Sequence, residues 1–435
     1  MRYHGGMKKL MIIGGGAAGL AAAVAAADAL RARGVRVGAD AGADGVDVAV
    51  CEADERVGRS ILATGNGRCN FSNAQVDAAA YRNAAFVGAA LDELRRAGGL
   101  RGGDGADPVH AFFADLGLVW REEGEGRLYP LANKATSVLE VLRAAASDAG
   151  VREECGREAV RLDAPARKGD RFHVRFADGA VLHAEAVIVA AGGNAARALV
   201  PEGLAWEEPR AVLGPLRTDA RLVKALNNIR VRCAASLVGR DGAEKACERG
   251  EVLFRDYGVS GIAVFNLSRF AEPGDTLRID LLPRMDAPML EQLLLERRSR
   301  LFARAGSCTG DDVLRGMVLP AVGRGVLKAA GLRAEGPFGK RDAAPLAAAL
   351  KGLALEVRGV GEPQQCQVRR GGFAVEAFDP RSCASRTMPG LHVVGEALDV
   401  DAPCGGYNLH WAWASGMLAG RAAAERLMKE AVDHA

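Results

Sequence analysis

The chain opens on a short apolar run, Lys9 to Ile13, which predicts one buried strand. Gly14 to Gly16 breaks the run, and Ala17 to Arg33 follows as an Ala-rich helix. Val46 to Cys51 is a second apolar strand that ends at Glu52, after a Gly/Asp-rich loop from Gly38 to Gly45. Gly98 to Gly105 predicts another loop, and Thr136 to Ala149 has the spacing of an amphipathic helix. Phe172 to Phe176 and Ala180 to His183 flank Asp178-Gly179 and predict a hairpin. Val187 to Ala191 is apolar throughout, as expected of a central parallel strand covered on both faces.

The middle of the chain changes character. Val231 to Val238, Glu251 to Tyr257 and Thr276 to Leu282 predict strands. Met289 to Ala305, Asp311 to Met317, Gly323 to Ala330 and Ala343 to Leu353 predict helices. The C-terminal part returns to α/β, with a strand at Leu391 to Gly395, a Gly-rich turn, and a long helix from Asn408 to Glu430. These patterns divide the chain into residues 1–210, an inserted module at 211–363 (β part 211–285, helical part 286–363), and residues 364–435.

Composition narrows the function classes. The 435 residues allow two or three domains, at roughly 150 residues each. A net charge of +3 gives no reason to expect nucleic acid as a partner. Nine scattered cysteines without a C-x-x-C pair fit free thiols in a reducing cytoplasm. The seven histidines include no pair at metal-ligand spacing, so no metal is expected. Lys8-Lys9 and the uncharged run from Leu10 to Ala27 have the outline of an export signal. That run is Ala/Gly-rich and interrupted by glycines, so it is read as strand, turn and helix. No membrane span is expected, and Met1 to Gly6 reads as an extension before the start at Met7.

The first chemical signal is the turn between the opening strand and helix. Gly14, Gly16 and Gly19 form G-x-G-x-x-G, with Ala17 and Ala18 at the helix start. Such glycines permit a tight turn, backbone approach to a pyrophosphate, and close helix–strand packing. The helix N-terminus adds unpaired N–H groups. Glu52, followed by Ala53, ends the next strand, where a carboxylate accepts hydrogen bonds from ribose hydroxyls. It lies 33 positions after Gly19, more than the usual separation of about 20, and the Gly38–Gly45 loop accounts for the excess. Thr64-Gly-Asn-Gly-Arg-Cys-Asn-Phe-Ser-Asn73 is a polar, glycine-alternating loop able to wrap its amides around a ligand. Gly395-Glu396, Asp399 and Cys404-Gly405-Gly406-Tyr407-Asn408 form a second strand–turn–helix start.

In that order these segments resemble a group of bacterial flavoproteins labelled aminoacetone-oxidase-like or bile-acid 3-oxo-Δ4-reductase-like. The likeness runs along most of the chain. It is carried by Gly14–Gly19, Ile61–Asn70, Gly126–Pro130 with Lys134, Gly192-Gly193, Gly250–Phe254 with Gly258 and Ser260-Gly261, and Gly395 through Gly416. It implies FAD on a bipartite Rossmann-like, two-dinucleotide-binding α/β domain with an inserted β-barrel-like plus helical domain. Carried over, Gly14, Gly16 and Gly19 would hold the pyrophosphate, Glu52 the adenosine ribose, and Val160 the adenine through its backbone. Arg59, Gly65, Asn66, Arg68, Cys69 and Asn70 would line the flavin and its diphosphate. Ala191 and Gly192 would pass beneath the cofactor, and Asp399 would approach the ribityl chain. Gly405, Gly406, Tyr407 and Asn408 would face the pyrimidine side, with the helix opening at N1 and the C2 carbonyl.

Departures from that family's pattern fall mainly on the substrate side. Ser60 stands where Lys is usual, Ala191 and Cys404 where Thr is usual, and His410 where Gln is usual. Arg255-Asp256 replace Thr-His, Ile262 replaces Pro, and the stretch from Asn194 to Pro215 is shortened. Tyr407 and His410 are candidate proton donors, each with a plain packing alternative. Asp256 and Tyr257 on the inserted module are candidate substrate contacts, and a solvated strand is the alternative. The resemblance implies hydride transfer through flavin N5 to an activated alkene such as an enone, a small-molecule substrate. An oxidase of an amine or amino-ketone, or a flavin-carrying regulator without turnover, are the alternatives. Gly192-Gly193-Asn-Ala-Ala196 follows a strand but lacks a second fingerprint. NADH or NADPH, if it is the electron donor, would therefore dock without one.

Overall fold

The computed structural model describes residues 7–97, 107–167 and 170–432. The extension Met1–Gly6 and the loop expected at Gly98–Gly105 lie outside these residues. The chain forms two compact units, Met1–Arg210 with Arg369–Ala435, and Ala211–Val368.

The first unit is built on a seven-stranded sheet. Lys8–Ile13 pairs in parallel with Val46–Cys51 on one side and Ala186–Val189 on the other, and Ala186–Val189 pairs in parallel with Leu391–Val393. The N- and C-terminal parts of the chain thus share one sheet. The uniform apolar character of Ala186–Val189 follows from its position, because helices and neighbouring strands leave none of its residues exposed.

The helix Ala17–Arg31 and the C-terminal helix Tyr407–Val432 pack closely against one another. The reason lies in four small residues spaced one turn apart. A Cβ on Gly416 would lie 2.2 Å from the Ala18 carbonyl oxygen, and one on Gly420 would lie 2.2 Å from that of Ala22. The alanine run that mimics an export signal is therefore a buried helix-packing face. Among the described residues, no helix is long and apolar enough to cross a membrane.

The second unit holds a closed six-stranded barrel, formed in order by Leu216–Thr218, Gly258–Ser260, Glu244–Arg255, Arg230–Val238, Thr276–Asp280 and Leu353–Val360. This corrects the expected division into a β part and a helical part. The helices Ala287–Ala305, Gly310–Leu314, Pro320–Ala329 and Ala343–Lys351 interrupt the barrel, and Leu353–Val360 returns to close it against Leu216–Thr218. Leu353, Leu355 and Val357 are buried while Ala354, Glu356 and Arg358 are exposed, the period-two alternation of a half-buried strand. The unit ends at Val368 and not at residue 363. The connecting strands Trp206–Val212 and Val368–Phe373 pair with each other.

Candidate functional site

The glycines of the first turn differ in what fixes them. Gly14 has φ +104°, and a Cβ there would sit 2.5 Å from the Ala190 carbonyl oxygen. A Cβ on Gly19 would sit 1.9 Å from the Gly14 carbonyl oxygen. Both are required by packing. Gly16 caps the helix with an ordinary extended backbone, φ −80°, and a Cβ there would meet only Ser60 Oγ, at 3.0 Å. Space is therefore left in front of Gly16, next to the unpaired N–H groups of the first helical turn, where Ala17 and Ala18 lie. Glu52 is anchored beside this turn: its Oε2 accepts from Gly15 N–H at 2.7 Å and its Oε1 from Asp54 N–H at 2.9 Å. Ala53 is exposed, and Arg59 is exposed and ion-paired with Asp54.

Val160 lies on Ala159–Asp163, at a break in register with Phe172–Phe176, so it has no paired residue across that ladder. It is 43% exposed. Hydrogen bonds from Arg157 N–H to the Glu52 carbonyl and from Gly156 N–H to that of Asp54 bring the same segment alongside Glu52.

The Thr64–Asn73 loop is wound in the left-handed region. Gly65, Asn66, Gly67 and Cys69 have φ of 56°, 55°, 80° and 57°. A cysteine in that region is strained, and such strain is a mark of functional loops. Cys69 is buried, and burial pushes its thiol up to about 11, so it stays protonated at neutral pH. Arg68 lies over the Tyr129 ring at 4.1 Å and is held by Glu123 and Asn133. Asn70 Oδ1 is buried without a hydrogen-bond partner. In a native interior such an orphaned acceptor costs about 1–3 kcal/mol, and a ligand's N–H or O–H would satisfy it.

On the C-terminal side, Gly192 has φ +75° with open space where a Cβ would stand, and half-buried Ala191 precedes it. Gly395 N–H donates to Ser415 Oγ, and Glu396 Oε1 accepts from Arg369 N–H. Asp399 is buried, and its carboxylate is already committed: Arg82, Asn83 and Gly371 N–H all donate to it. It works first as a hub that ties Arg82 and Gly371 to the loop ahead of the C-terminal helix. Asn408 likewise uses its amide inside that loop, accepting from Ala402 N–H and donating to the Ala402 carbonyl. Gly406 has φ +98°, and a Cβ there would lie 2.2 Å from the Ser72 carbonyl oxygen. Asn73 donates to the Gly405 carbonyl at 2.9 Å. The Thr64–Asn73 loop and the Gly405-Gly406 turn, far apart in sequence, are therefore in direct contact.

Tyr407 is half-buried, with its hydroxyl donating to the Gln75 carbonyl at 3.0 Å, and burial raises its pKa above the usual tyrosine value. His410 differs from the sequence expectation of a proton donor at the cofactor. It is wholly buried, with Nδ1 at 2.9 Å from Ser72 Oγ and Nε2 at 3.6 Å from Asp107 Oδ2. Burial lowers its pKa to about 4. Asp107 and His110 beside it were missed from sequence, because the helix Pro108–Asp115 was not recognised there; Ser72 stood in the Thr64–Asn73 loop without a role of its own. Asp256 and Tyr257 belong to the inserted unit, but they form the turn between Glu244–Arg255 and Gly258–Ser260 and not the end of a strand. Asp256 is exposed, and the neighbouring Arg255 donates to Asn228 Oδ1 at 2.8 Å. None of the nine cysteines is in a disulfide.

Comparison with known proteins decides the family. Residues 8–422 match the HI0933-like protein Rossmann domain family. The chain belongs to that family. It is 33% identical over 445 residues to a 3-dehydro-bile acid delta(4,6)-reductase of Clostridium scindens, covering 97% of this chain and 100% of that one. It is 27% identical to a ribosomal RNA dihydrouridine synthase of Escherichia coli, covering 88% and 94%. Among solved structures, a 3-ketosteroid delta1-dehydrogenase from Sterolibacterium denitrificans aligns with TM-score 0.46 and 13% identity over 97% of this chain and 100% of that one. That overlap is too loose to speak to substrate.

The chain is an FAD-dependent oxidoreductase of this Rossmann-like family. Its residues fit the cofactor. The open face of Gly16 suits a pyrophosphate, the anchored Glu52 carboxylate suits a ribose, and the orphaned Asn70 acceptor suits a polar ring edge.

Proposed function

We propose that the protein reduces a carbon–carbon double bond conjugated to a carbonyl in a small molecule, with NADH or NADPH as the diffusible donor. The reading is carried by one observation: the alignment with the Clostridium scindens reductase spans essentially both chains at 33% identity. Bound FAD supplies the hydride acceptor and donor, through its N5.

The chain's own residues do the rest. Gly14, Gly16 and Gly19, with the first turn at Ala17 and Ala18, would seat the pyrophosphate. Glu52 and the segment from Ala53 to Arg59 would take the ribose, and the unpaired backbone of Val160 the adenine. Gly65, Asn66, Arg68, Cys69 and Asn70 would line the isoalloxazine side, with Ala191, Gly192, Gly395 and Glu396 beneath. Gly405, Gly406, Tyr407 and Asn408 would present the start of the 26-residue C-terminal helix. That start carries about half a positive charge, which favours electron density on the pyrimidine end. Asp399 would position this loop through Arg82, Asn83 and Gly371.

Reduction of such a bond adds a hydride to the β carbon and a proton to the α carbon. The Tyr407 hydroxyl is the proposed source of that proton. Its raised pKa keeps the proton on oxygen at neutral pH, and its half-buried position leaves it reachable. Asp256 and Tyr257 are proposed to bear on substrate choice.

A second substrate reading rests on the Escherichia coli relative, named for dihydrouridine synthesis in ribosomal RNA. The uracil ring also holds a C=C conjugated to a carbonyl, so the two names describe one kind of reduction. The near-neutral charge of this chain favours the small molecule over RNA. The test is product analysis after incubation with NADPH and either a steroid enone or a uridine-rich RNA. A saturated steroid ketone supports the first reading, and dihydrouridine in the RNA overturns it.

A further inference from the structure

Asp107, His110 and His410 bring three metal-ligating atoms within 4.8 Å of one another, in a place the proposed reduction does not use. They come from two elements. Asp107 and His110 sit at the N-cap and in the first turn of Pro108–Asp115, and His410 sits in the first turn of the C-terminal helix. Asp107 spends one oxygen on the helix: Oδ1 accepts from Val109 N–H and His110 N–H at 2.9 and 3.2 Å. Its other oxygen, Oδ2, faces His410 Nε2 at 3.6 Å.

That nitrogen is the telling atom. His410 has no exposed surface, and among the described residues Nε2 has no hydrogen-bond partner. Its other nitrogen, Nδ1, lies 2.9 Å from Ser72 Oγ. In the tautomer that places the ring proton on Nδ1, toward Ser72, Nε2 turns its lone pair on the Asp107 carboxylate, and a cation between the two would satisfy both. In the other tautomer an Nε2–H faces Oδ2 at 3.6 Å, beyond hydrogen-bond reach. A histidine whose second nitrogen is fixed by a hydrogen bond is also how metal-binding imidazoles are oriented.

The distances suit a small ion. Bonds of about 2.0–2.1 Å to zinc in a tetrahedron place neighbouring ligand atoms about 3.3–3.4 Å apart. His410 Nε2 and Asp107 Oδ2 are 3.6 Å apart, and the three ligand atoms all lie within 4.8 Å of one another. Binding would draw His110 in toward the Asp107 oxygen that the helix cap leaves uncommitted. His110 and Asp107 retain 17% and 16% of their side-chain exposure, so the cluster is not fully sealed among the described residues. His110 Nε2 now lies 2.7 Å from Ser72 Oγ and would exchange that hydroxyl for the metal, while Ser72 keeps its bond to His410.

We propose that Asp107, His110 and His410 form a binding site for a divalent transition-metal ion, with zinc as the best fit and Ser72 as the residue that orients His410. Two imidazoles and a carboxylate match zinc's ligand preferences. The ion would tie Pro108–Asp115 to the start of the C-terminal helix, whose Gly406 packs on Ser72. Its role is to hold the flavin-side loop, not to take part in the redox step.

The test uses the FAD-loaded full chain, stripped with a chelator and titrated with Zn²⁺ by calorimetry, with thermal melting and flavin content as parallel readouts. The variants are His410→Gln, which keeps a polar side chain in reach of Ser72, and Asp107→Asn. The expected result is one equivalent of zinc on the wild type, at least tenfold weaker binding in each variant, and a zinc-dependent rise in melting temperature in the wild type alone. A far-UV circular dichroism spectrum of His410→Gln that matches the wild type shows that the variant is folded. Binding that persists in His410→Gln overturns the proposal. So does binding lost on replacing His173 and His183, an edge-to-face surface pair with ring centroids 4.5 Å apart. Absence of stoichiometric zinc in the wild type overturns it as well. None of these results depends on which substrate the enzyme reduces.

Discussion

Gly16→Val separates cofactor binding from folding. The Gly16 backbone, φ −80° and ψ −162°, is extended, a region that β-branched residues favour. Its Cβ would press only on the Ser60 hydroxyl, the end of an exposed side chain free to turn away. The apo-protein should therefore stay within about 1 kcal/mol of wild type. The cofactor should suffer far more, because the valine occupies the approach of the pyrophosphate. Losing two charge-assisted hydrogen bonds of about 1.5–3 kcal/mol each costs about 3–6 kcal/mol, or roughly 10²–10⁴ in affinity. Gly19→Ala is the control. Its Cβ would lie 1.9 Å from the Gly14 carbonyl oxygen, so it should lower apo stability by about 1–3 kcal/mol or more. The assay is apo melting temperature together with FAD titration by fluorescence quenching. Wild-type FAD affinity in Gly16→Val would refute the placement of the pyrophosphate. A melting loss in Gly16→Val equal to that of Gly19→Ala would refute the claim that its space is kept for a ligand.

Arg370→Ala should cost about 3–5 kcal/mol, read by urea unfolding, because it leaves the Asp401 carboxylate buried; the pair is bidentate at 2.7 and 3.0 Å and at most 7% exposed. His392 gives a pH dependence. Burial lowers its pKa from 6.5 to about 4, so between those values the unfolded chain binds a proton that the folded one does not, and stability falls as pH drops from 6.5 to 4. His392→Asn should flatten that part of a melting-temperature profile, and an unchanged slope would count against it. Arg255→Thr with Asp256→His should change turnover between enone substrates while leaving flavin content at the wild-type level; equal turnover with every substrate would free this turn from substrate choice.

Much of the flavin half was legible because its signals are local. A strand, a glycine turn and a helix follow one another at Lys8–Arg31, and an all-apolar strand at Ala186–Val189 could only be central. The barrel was only partly legible. Leu353–Val360 has a clear alternation, but it follows a helix directly and was absorbed into it. The stretch from Ala74 to Glu125 gave least, and it supplies Arg82, Asn83, Asp107 and His110. Nothing in local spacing links His110 to His410, 300 positions later in the chain. Only the docking of Pro108–Asp115 against the C-terminal helix brings them together. Asp399 and Asn408 stood out in the sequence as ligand contacts, whereas their side chains first hold the loop itself.

The central claim is tested most directly by an anaerobic half-reaction pair. The purified protein is bleached with one equivalent of NADH or NADPH and then mixed with a Δ4-3-ketosteroid. The account predicts that the flavin absorbance returns in step with loss of the enone, one for one, and that the product carries a saturated C–C bond. Flavin that stays bleached with the enone and recovers only on admitting oxygen would contradict it and make the protein an oxidase.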